Sequence, residues 1–254
     1  MAPDRFDPAK EAVLNPWNTT KPVFYMPKIG ITCFSKKLID RICEVFAPEQ
    51  IAYLKNANGR VPVYKLNYKG ADIALYMSYV GSASCAAAYE DILEMGLEKL
   101  VMFGSCGVLS KDIEDLSIII PNLALRDEGV SFHYAPYSRD ISVNEKYIDE
   151  FKQILDEHGY TYTEGKVWTT DAPYRETRDK VERYKSEGCI CVDMECAAMS
   201  AVAKFRGKEF FQFFYAADNL DGVKWDKRSL GSSGDLSEKE KVVLPALELA
   251  LKMI

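Results

Sequence analysis

The fold of this chain is decided by the stretch Val192-Asp193-Met194-Glu195-Cys196-Ala197-Ala198, where an apolar, strand-like run becomes a helix of small residues. A second stretch, Tyr215-Ala216-Ala217-Asp218-Asn219, follows the apolar run at 210–214. Carboxylates at the ends of buried strands are costly unless something uses them. The two stretches therefore predict a polar pocket at the rim of a sheet.

The composition indicates an ordinary globular protein of 254 residues with 48% hydrophobic and 28% charged residues. A net charge of −6 argues against a nucleic-acid partner. No apolar run approaches the ~20 residues of a membrane span, so no membrane partner is expected. Two histidines and seven cysteines without paired zinc-ligand spacing predict no metal site. The N-terminal residues do not resemble a signal peptide, and reduced thiols fit a cytoplasmic protein.

The chain is expected to form an N-terminal arm and one domain. Residues 1–22 carry four prolines and are predicted to be extended. Over 23–254, strands alternate with helices, and the strands are too apolar to face water. This pattern predicts an α/β fold with the sheet covered on both sides.

Apolar spacing and turn residues give the individual elements. Helices are predicted over 35–46, 82–95, 144–158, 175–186 and 194–205, with a last helix opened by the capping box Ser237-x-x-Glu240. Strands are predicted over 61–68, 71–80, 99–103, 117–121, 123–125, 160–168 and 210–217.

Two glycine-containing segments are candidate anion sites. Gly104-Ser105-Cys106-Gly107 is predicted to turn after a strand, which would expose backbone N–H groups and the Ser105 hydroxyl. Gly81-Ser82-Ala83-Ser84 precedes a helix, whose N-terminus favours a phosphate or carboxylate. A plain tight turn and plain helix capping explain the same two segments equally simply.

The acidic residues after the apolar strands are candidates for substrate binding. The two oxygens of Glu195 suit a ribose diol, and Met194 offers an adaptable apolar floor. Capping of the following helix is the alternative role for Asp193 and Glu195. A carboxyl at 218 beside aromatic residues should have a raised pKa and could give a proton to a leaving base. A simple turn acid is the alternative.

The order of these motifs resembles the nucleoside phosphorylase superfamily, which includes uridine phosphorylases, hexameric purine nucleoside phosphorylases and methylthioadenosine nucleosidases. The similarity runs from about 64 to 222 and includes the segment Arg126-Asp127-Glu128-Gly129-x-Ser131-Phe132-His133-Tyr134-Ala135-Pro136. The resemblance implies a single α/β domain around a twisted mixed sheet. It also implies homo-oligomers, either dimers or trimers of dimers, and no cofactor beyond phosphate as co-substrate.

The resemblance also assigns roles to individual residues. Asp218 and Glu195 are expected to be catalytic, and Met194 with Glu195 is expected to bind the ribose. The phosphate-binding residues it implies are Ser105, Gly104, Ser82 and Ser84. The base-binding residues it implies are Arg126, Thr170, Asp171, Tyr174, Arg175 and Asp218.

The chain departs from the family pattern at the phosphate site. Phe34-Ser35-Lys36-Lys37-Leu38 stands where the phosphorylases carry Gly-Asp-Pro-x-Arg, and Met102 stands where they carry a second arginine. Arginine makes the strong bidentate contacts to phosphate. Lysine at 36 or 37, or arginine at 126, 175 or 178, would have to replace them.

Three hypotheses follow for the function. The first is a nucleoside phosphorylase that cleaves a purine or pyrimidine nucleoside with phosphate to give free base and ribose 1-phosphate. The second is a hydrolytic nucleosidase on the same fold, suggested by the missing arginines. The third is a nucleoside-binding protein without catalysis.

Overall fold

A computed structural model describes residues 5–57, 59–230 and 240–254 of the chain. The first half contains α1 (Pro16–Thr19), β1 (Ile29–Cys33), α2 (Lys36–Phe46), β2 (Glu49–Asn56), β3 (Gly59–Tyr68), β4 (Ala71–Met77), α3 (Ser82–Glu94), β5 (Lys99–Val108) and β6 (Ile118–Asp127). The second half contains α4 (Ser131–Tyr134), β7 (Asp140–Ser142), α5 (Ile148–Glu157), β8 (Tyr162–Thr170), a 3₁₀ turn (Pro173–Arg175), α6 (Arg178–Ser186), β9 (Cys189–Asp193), α7 (Cys196–Arg206), β10 (Glu209–Asn219) and α8 (Val243–Lys252).

All ten strands belong to one mixed sheet. Its order is β10-β6-β8-β9-β5-β1-β4-β3-β2, with β7 on β6. Because β10 also pairs with β5, the strands β5, β9, β8, β6 and β10 close into a ring, from which β1 and the β2–β4 meander extend. The pairs β5–β10, β6–β8 and β8–β9 are parallel, whereas β5–β9 and β6–β10 are antiparallel. The predicted mixed α/β architecture is confirmed.

Helices cover both faces of the sheet, which explains the nearly continuous apolar sequence of β10. Phe211 and Phe213 pack into the cluster that contains residues of α2, α5 and α8, and Phe213 stacks on Phe103 of β5 at 5.5 Å between ring centroids. Phe214 lies on the other face, in the cluster with α7. A strand that is buried on both faces has a nearly continuous run of apolar residues instead of an alternating pattern.

Helix α2 has the N-cap and the buried face that its sequence predicts. Ser35 is the predicted N-cap of α2, and its Oγ accepts the Leu38 N–H at 3.3 Å. Leu38, Ile39 and Ile42 form the buried face. The antiparallel β3–β4 hairpin is also as predicted.

The predicted glycine turn at 104–107 is wrong, because these residues continue β5. Gly104 pairs with Phe214 and Gly107 with Val192, so the segment is hydrogen-bonded within the sheet. The glycines serve close packing instead. A Cβ on Gly104 would lie 2.7 Å from the Phe34 ring, and one on Gly107 would lie 2.5 Å from Leu220 Cδ1.

Two other predicted boundaries also change. The strands at 117–121 and 123–125 are one strand, β6, with a register shift between Pro121 and Leu123. Helix α5 begins at Ile148, because the buried Asn144 amide bonds to backbone carbonyls and Tyr147 has a φ of 69°. Strand β2 was not predicted at all, and Ser237 of the capping box lies outside the described residues.

The described part of the N-terminal arm, residues 5–22, contains the single turn α1 and packs on the domain. The Lys10 ammonium donates to the Phe205 carbonyl at 2.6 Å and lies 3.8 Å from the centroid of that ring. Within the described ranges, no helix has the length and apolar character required to cross a bilayer.

Candidate functional site

The carboxyl ends of β5, β9 and β10 surround a cavity of about 250 Å³, here called the inner chamber. It is lined by residues of all three strands, by Phe34 after β1 and by Met194 and Glu195. A second cavity of about 520 Å³, the outer chamber, adjoins it. The described residues that line both chambers are Pro173, Glu176, Asp218, Leu220 and Leu230.

Asp193 organises the turn from β9 into α7. Its Oδ2 accepts the N–H groups of Glu195 and Cys196 at 2.8 and 2.7 Å. Its Oδ1 accepts the Thr169 hydroxyl at 2.7 Å, and Thr169 Oγ1 in turn accepts the Ala197 N–H at 3.1 Å. Three N–H groups of the first turn of α7 are thereby satisfied, so Asp193 performs the capping role that the sequence left open.

The Glu195 carboxyl lies at the N-terminus of α3, which the sequence predicts as a candidate phosphate site. Its Oε1 accepts the Gly81 N–H at 2.5 Å, at the start of α3. The Ser82 hydroxyl donates to the Met194 carbonyl at 2.6 Å. The two chain segments therefore hold each other, and Met194 and Glu195 are fixed against the inner chamber.

Ser82 and Ser84 do not line the inner chamber, contrary to their predicted phosphate-binding role. The Ser82 hydroxyl is committed to a backbone carbonyl, and Ser84 lines a separate surface cavity with Leu54 and Tyr79. Gly104 lies in the strand beneath Phe34. Of the predicted phosphate ligands, only Ser105 reaches the chamber, and its side chain is exposed there.

The acids at 193 and 195 are both buried, and burial is the main cause of their raised pKa values. Their mutual repulsion raises the pKa of Glu195 further, while the Gly81 N–H lowers it. A partner that donates two hydrogen bonds, such as a vicinal diol, would favour the ionised form of Glu195. Without such a partner, ionisation of the buried Glu195 carboxyl therefore lowers the free energy of unfolding.

This arrangement predicts a pH-dependent gain of stability in Glu195→Gln. The folded pKa of Glu195 is raised above the unfolded value, so stability is fully present below about pH 4 and is lost as pH rises through the folded pKa. Glutamine has no such loss and still accepts the Gly81 N–H. We expect similar melting temperatures near pH 4 and a variant more stable by on the order of 1–2 kcal/mol near pH 9. Calorimetry at both pH values measures this, and a variant that is less stable at alkaline pH would contradict it.

Asp218 lies at the end of β10, just after a register shift between Ala216 and Asp218 in its pairing with β5. The shift turns its carboxyl into the space shared by both chambers. Oδ2 accepts the indole N–H of Trp225 at 2.7 Å. Burial raises the pKa of Asp218, and the Trp225 hydrogen bond and nearby Arg228 act in the opposite direction.

The predicted base-binding residues separate into two groups. Tyr174 and Asp218 line the outer chamber. Thr170, Asp171, Arg126 and Arg175 do not line either chamber. Asp171 instead accepts the Gly129 N–H at 2.8 Å, and Thr170 Oγ1 accepts the Ala172 N–H at 3.3 Å.

Arg126 is structural in this fold. Its guanidinium is buried and donates to the Pro136 carbonyl and the Ser138 hydroxyl, both at 2.8 Å, and its Nε donates to Ser131 Oγ at 2.8 Å. Burial lowers its pKa. The side chain is thus fully used in fixing the loop after β6.

No described residue that lines the inner chamber is a lysine or an arginine. Lys36 pairs with Asp40 at 2.5 Å. Arg178 lines the outer chamber, where its guanidinium donates to the Leu220 carbonyl at 2.8 Å. None of the cations predicted to replace the phosphate-binding arginines, at 36, 37, 126, 175 and 178, therefore lines the inner chamber.

Sequence reasoning missed Glu176 and Trp225, which both line the outer chamber. Glu176 immediately follows the candidates Tyr174 and Arg175, so its position was close to a recognised signal. Trp225 was a lone aromatic residue in a polar loop. Its contact with Asp218 depends on a bridge between Asn219 and Asp226, which no local pattern shows.

Comparisons with known proteins agree on one family. A family model described as the phosphorylase superfamily matches residues 28–244. A guanosine phosphorylase of Halorubrum lacusprofundi is 23% identical over 203 residues, which is 80% of this chain and 82% of that protein. A purine nucleoside phosphorylase of Colwellia psychrerythraea is 25% identical over 197 residues, covering 75% and 79% of the two chains.

Two solved structures share the fold. Uridine phosphorylase from Vibrio fischeri superposes with a TM-score of 0.74 at 21% identity, covering 94% of this chain and 95% of that one. Purine nucleoside phosphorylase from Toxoplasma gondii, in complex with immucillin-H, superposes with a TM-score of 0.77 at 16% identity, covering 90% and 92%.

Proposed function

Because the chain belongs to the phosphorylase superfamily, we propose that it cleaves the N-glycosidic bond of a purine or pyrimidine nucleoside. In the leading form of this proposal the ribosyl group passes to phosphate, which yields free base and ribose 1-phosphate. The observation that supports it most is the meeting of Met194, Glu195 and Asp218 on one inner chamber of about 250 Å³.

Each chamber has a chemistry suited to one part of a nucleoside. In the inner chamber, Met194 offers an apolar floor and Glu195 an acceptor pair for the ribose hydroxyls. The outer chamber has aromatic and apolar walls, including Tyr174, Trp225 and Leu220, that suit a planar base. Asp218 stands where the two meet, at the bond that breaks, where its charge would stabilise an oxocarbenium-like transition state.

The phosphate acceptor would approach the Ser105 hydroxyl, which faces the inner chamber. Phosphate needs cationic partners, and the described lining residues supply none. We therefore propose a homo-oligomer in which a neighbouring copy provides them. The seven cysteines are all free thiols, which fits the proposed place of this enzyme in the cytoplasm and in nucleoside salvage.

A hydrolytic nucleosidase is the second candidate, and a specific observation favours it. Asp193, Glu195, Glu176 and Asp218 all line the inner chamber, with no lysine or arginine among the described residues beside them. Such a chamber repels a phosphate anion but admits water. Hydrolysis would give free ribose in place of ribose 1-phosphate.

A nucleoside panel with and without phosphate tests the proposal. We expect at least one of guanosine, inosine, adenosine, methylthioadenosine and uridine to release its base in phosphate buffer. The second product should be ribose 1-phosphate, or 5-methylthioribose 1-phosphate where the substrate is methylthioadenosine. Base release that continues unchanged without phosphate, with free ribose as product, would assign hydrolysis. Thermal stabilisation by nucleosides without base release in any buffer would instead assign a binding protein.

A further inference from the structure

The outer chamber contains a second carboxyl group that no step above uses. Glu176 lies between the 3₁₀ turn and α6, and its side chain lines both chambers together with Asp218. Among the described residues, no side chain or backbone group makes a hydrogen bond or ion pair with its carboxyl. An unpartnered, half-buried carboxyl that faces a substrate cavity is poised to interact with the ligand.

Asp218, in contrast, already has a fixed partner. The indole N–H of Trp225 can only donate, so Asp218 Oδ2 must act as an acceptor in their 2.7 Å bond. Oδ1 lies against β5, 3.3 Å from the point where a Cβ on Gly107 would stand. The bond from the Trp225 indole favours the carboxylate form of Asp218 and acts against burial, which raises the pKa of this group.

We propose that Glu176, rather than Asp218, donates the proton to the departing base. The inference rests on the proposed function, because it assigns a role within glycosidic-bond cleavage. It also gives Glu176 and Asp218, which both lie at the junction of the chambers, different roles. Glu176 carries the proton at the base end, and ionised Asp218 stabilises positive charge on the sugar.

The charges around the two acids support this division. Burial and the charge of Asp218 together raise the pKa of Glu176 to about 7, and Lys180 on α6 lowers it only in part. Burial also raises the pKa of Asp218, but the Trp225 hydrogen bond and Arg228 lower it, while Asp226 raises it. The Arg178 guanidinium, which also lines the outer chamber, is bonded to the Leu220 carbonyl. Two acids in one space ionise one after the other, and the one with the donor partner ionises first.

The proposed step is balanced in protons and electrons. The bond between C1′ and the base nitrogen breaks, and its electron pair leaves with the base. The Glu176 proton passes to a nitrogen or carbonyl oxygen of the base, which leaves as a neutral molecule. The acceptor forms the new C1′–O bond, either as a phosphate anion or as water, which releases one of its protons to solvent. Glu176 is left as a carboxylate and regains a proton from solvent.

The test compares two substrates in Glu176→Gln. One is the nucleoside that the wild type cleaves fastest, and the other is 4-nitrophenyl β-D-ribofuranoside, whose leaving group needs no proton. We expect Glu176→Gln to lose ~10²–10⁴-fold in nucleoside turnover, as is typical for removal of a general acid. Nitrophenolate release should stay within a few-fold of the wild-type rate.

The pH dependence of nucleoside turnover is a second measurement. It would not change with Glu176→Gln if Glu176 had only a structural role. Wild-type turnover of the nucleoside should fall above about pH 7, as Glu176 loses its proton. This alkaline limb should be absent in Glu176→Gln. In Asp218→Asn the limb should remain but move to lower pH, because the charge that raises the pKa of Glu176 is gone.

Asp179→Asn is the matched control, since it removes an exposed carboxylate three residues after Glu176, in the first turn of α6. It should behave as wild type on both substrates. Wild-type nucleoside turnover in Glu176→Gln, or an equal loss on both substrates, would overturn the inference. If the wild type releases neither base nor nitrophenolate, the proposed function itself fails and the inference falls with it.

Discussion

Glu195→Ala and Asp218→Ala are each expected to abolish nucleoside turnover, with losses in kcat/KM on the order of 10³-fold. For Glu195, the alanine variant loses two charge-assisted hydrogen bonds to the ribose, each worth about 1.5–3 kcal/mol. For Asp218, it loses the negative charge beside the developing oxocarbenium ion. Steady-state kinetics on the best nucleoside substrate measure both effects.

The fold should persist in both variants, because neither side chain is part of the apolar core. Glu195→Ala leaves the Gly81 N–H without its acceptor, which costs about 1–3 kcal/mol if no water replaces it. Asp218→Ala releases the Trp225 indole, which is more than half exposed and can bond to water. Glu150→Ala, an exposed acid on α5, is the control for charge removal. Full activity in both test variants would end the assignment of the inner chamber as the active site.

The resemblance to the nucleoside phosphorylase superfamily is confirmed by the family model over residues 28–244. The sequence also predicted most elements correctly, since helix and strand patterns are local. Ser35 and the buried face of α2 are an example, because cap and apolar spacing lie within a few residues of each other. The positions of the acids at the ends of β9 and β10 could be predicted from the sequence for the same reason.

The contacts that shape the chambers could not be predicted from local sequence patterns, because they join segments that are distant in the chain. Gly104–Gly107 continues as a strand because β10, more than 100 residues later, and β9 both pair with it. The Glu195 carboxyl accepts the Gly81 N–H, and the Ser82 hydroxyl donates to the Met194 carbonyl, across a sequence separation that no motif records. Arg126 had the right chemistry for a ligand, but its Nε and both terminal nitrogens donate to the loop that it anchors.

A further prediction concerns the carboxylate that supports the site without being assigned a direct substrate contact. Asp193→Ala should destabilise the protein by about 3–6 kcal/mol and abolish activity. It removes the acceptor of the Glu195 and Cys196 N–H groups and of the Thr169 hydroxyl. Each buried donor left unsatisfied costs about 1–3 kcal/mol. Chemical denaturation and circular dichroism measure the loss.

Asp193→Asn separates the hydrogen bonds of this residue from its charge. The asparagine oxygen can accept both N–H groups, and its amide can donate to Thr169 Oγ1, which already receives the Ala197 N–H. We therefore expect a folded variant whose Glu195 has a lower pKa, because the neighbouring charge is gone. Asp193→Asn should remain active, and it should lose less stability at alkaline pH than the wild type does. If Asp193→Asn is as unstable as Asp193→Ala, the negative charge itself holds the turn, and the capping argument is wrong.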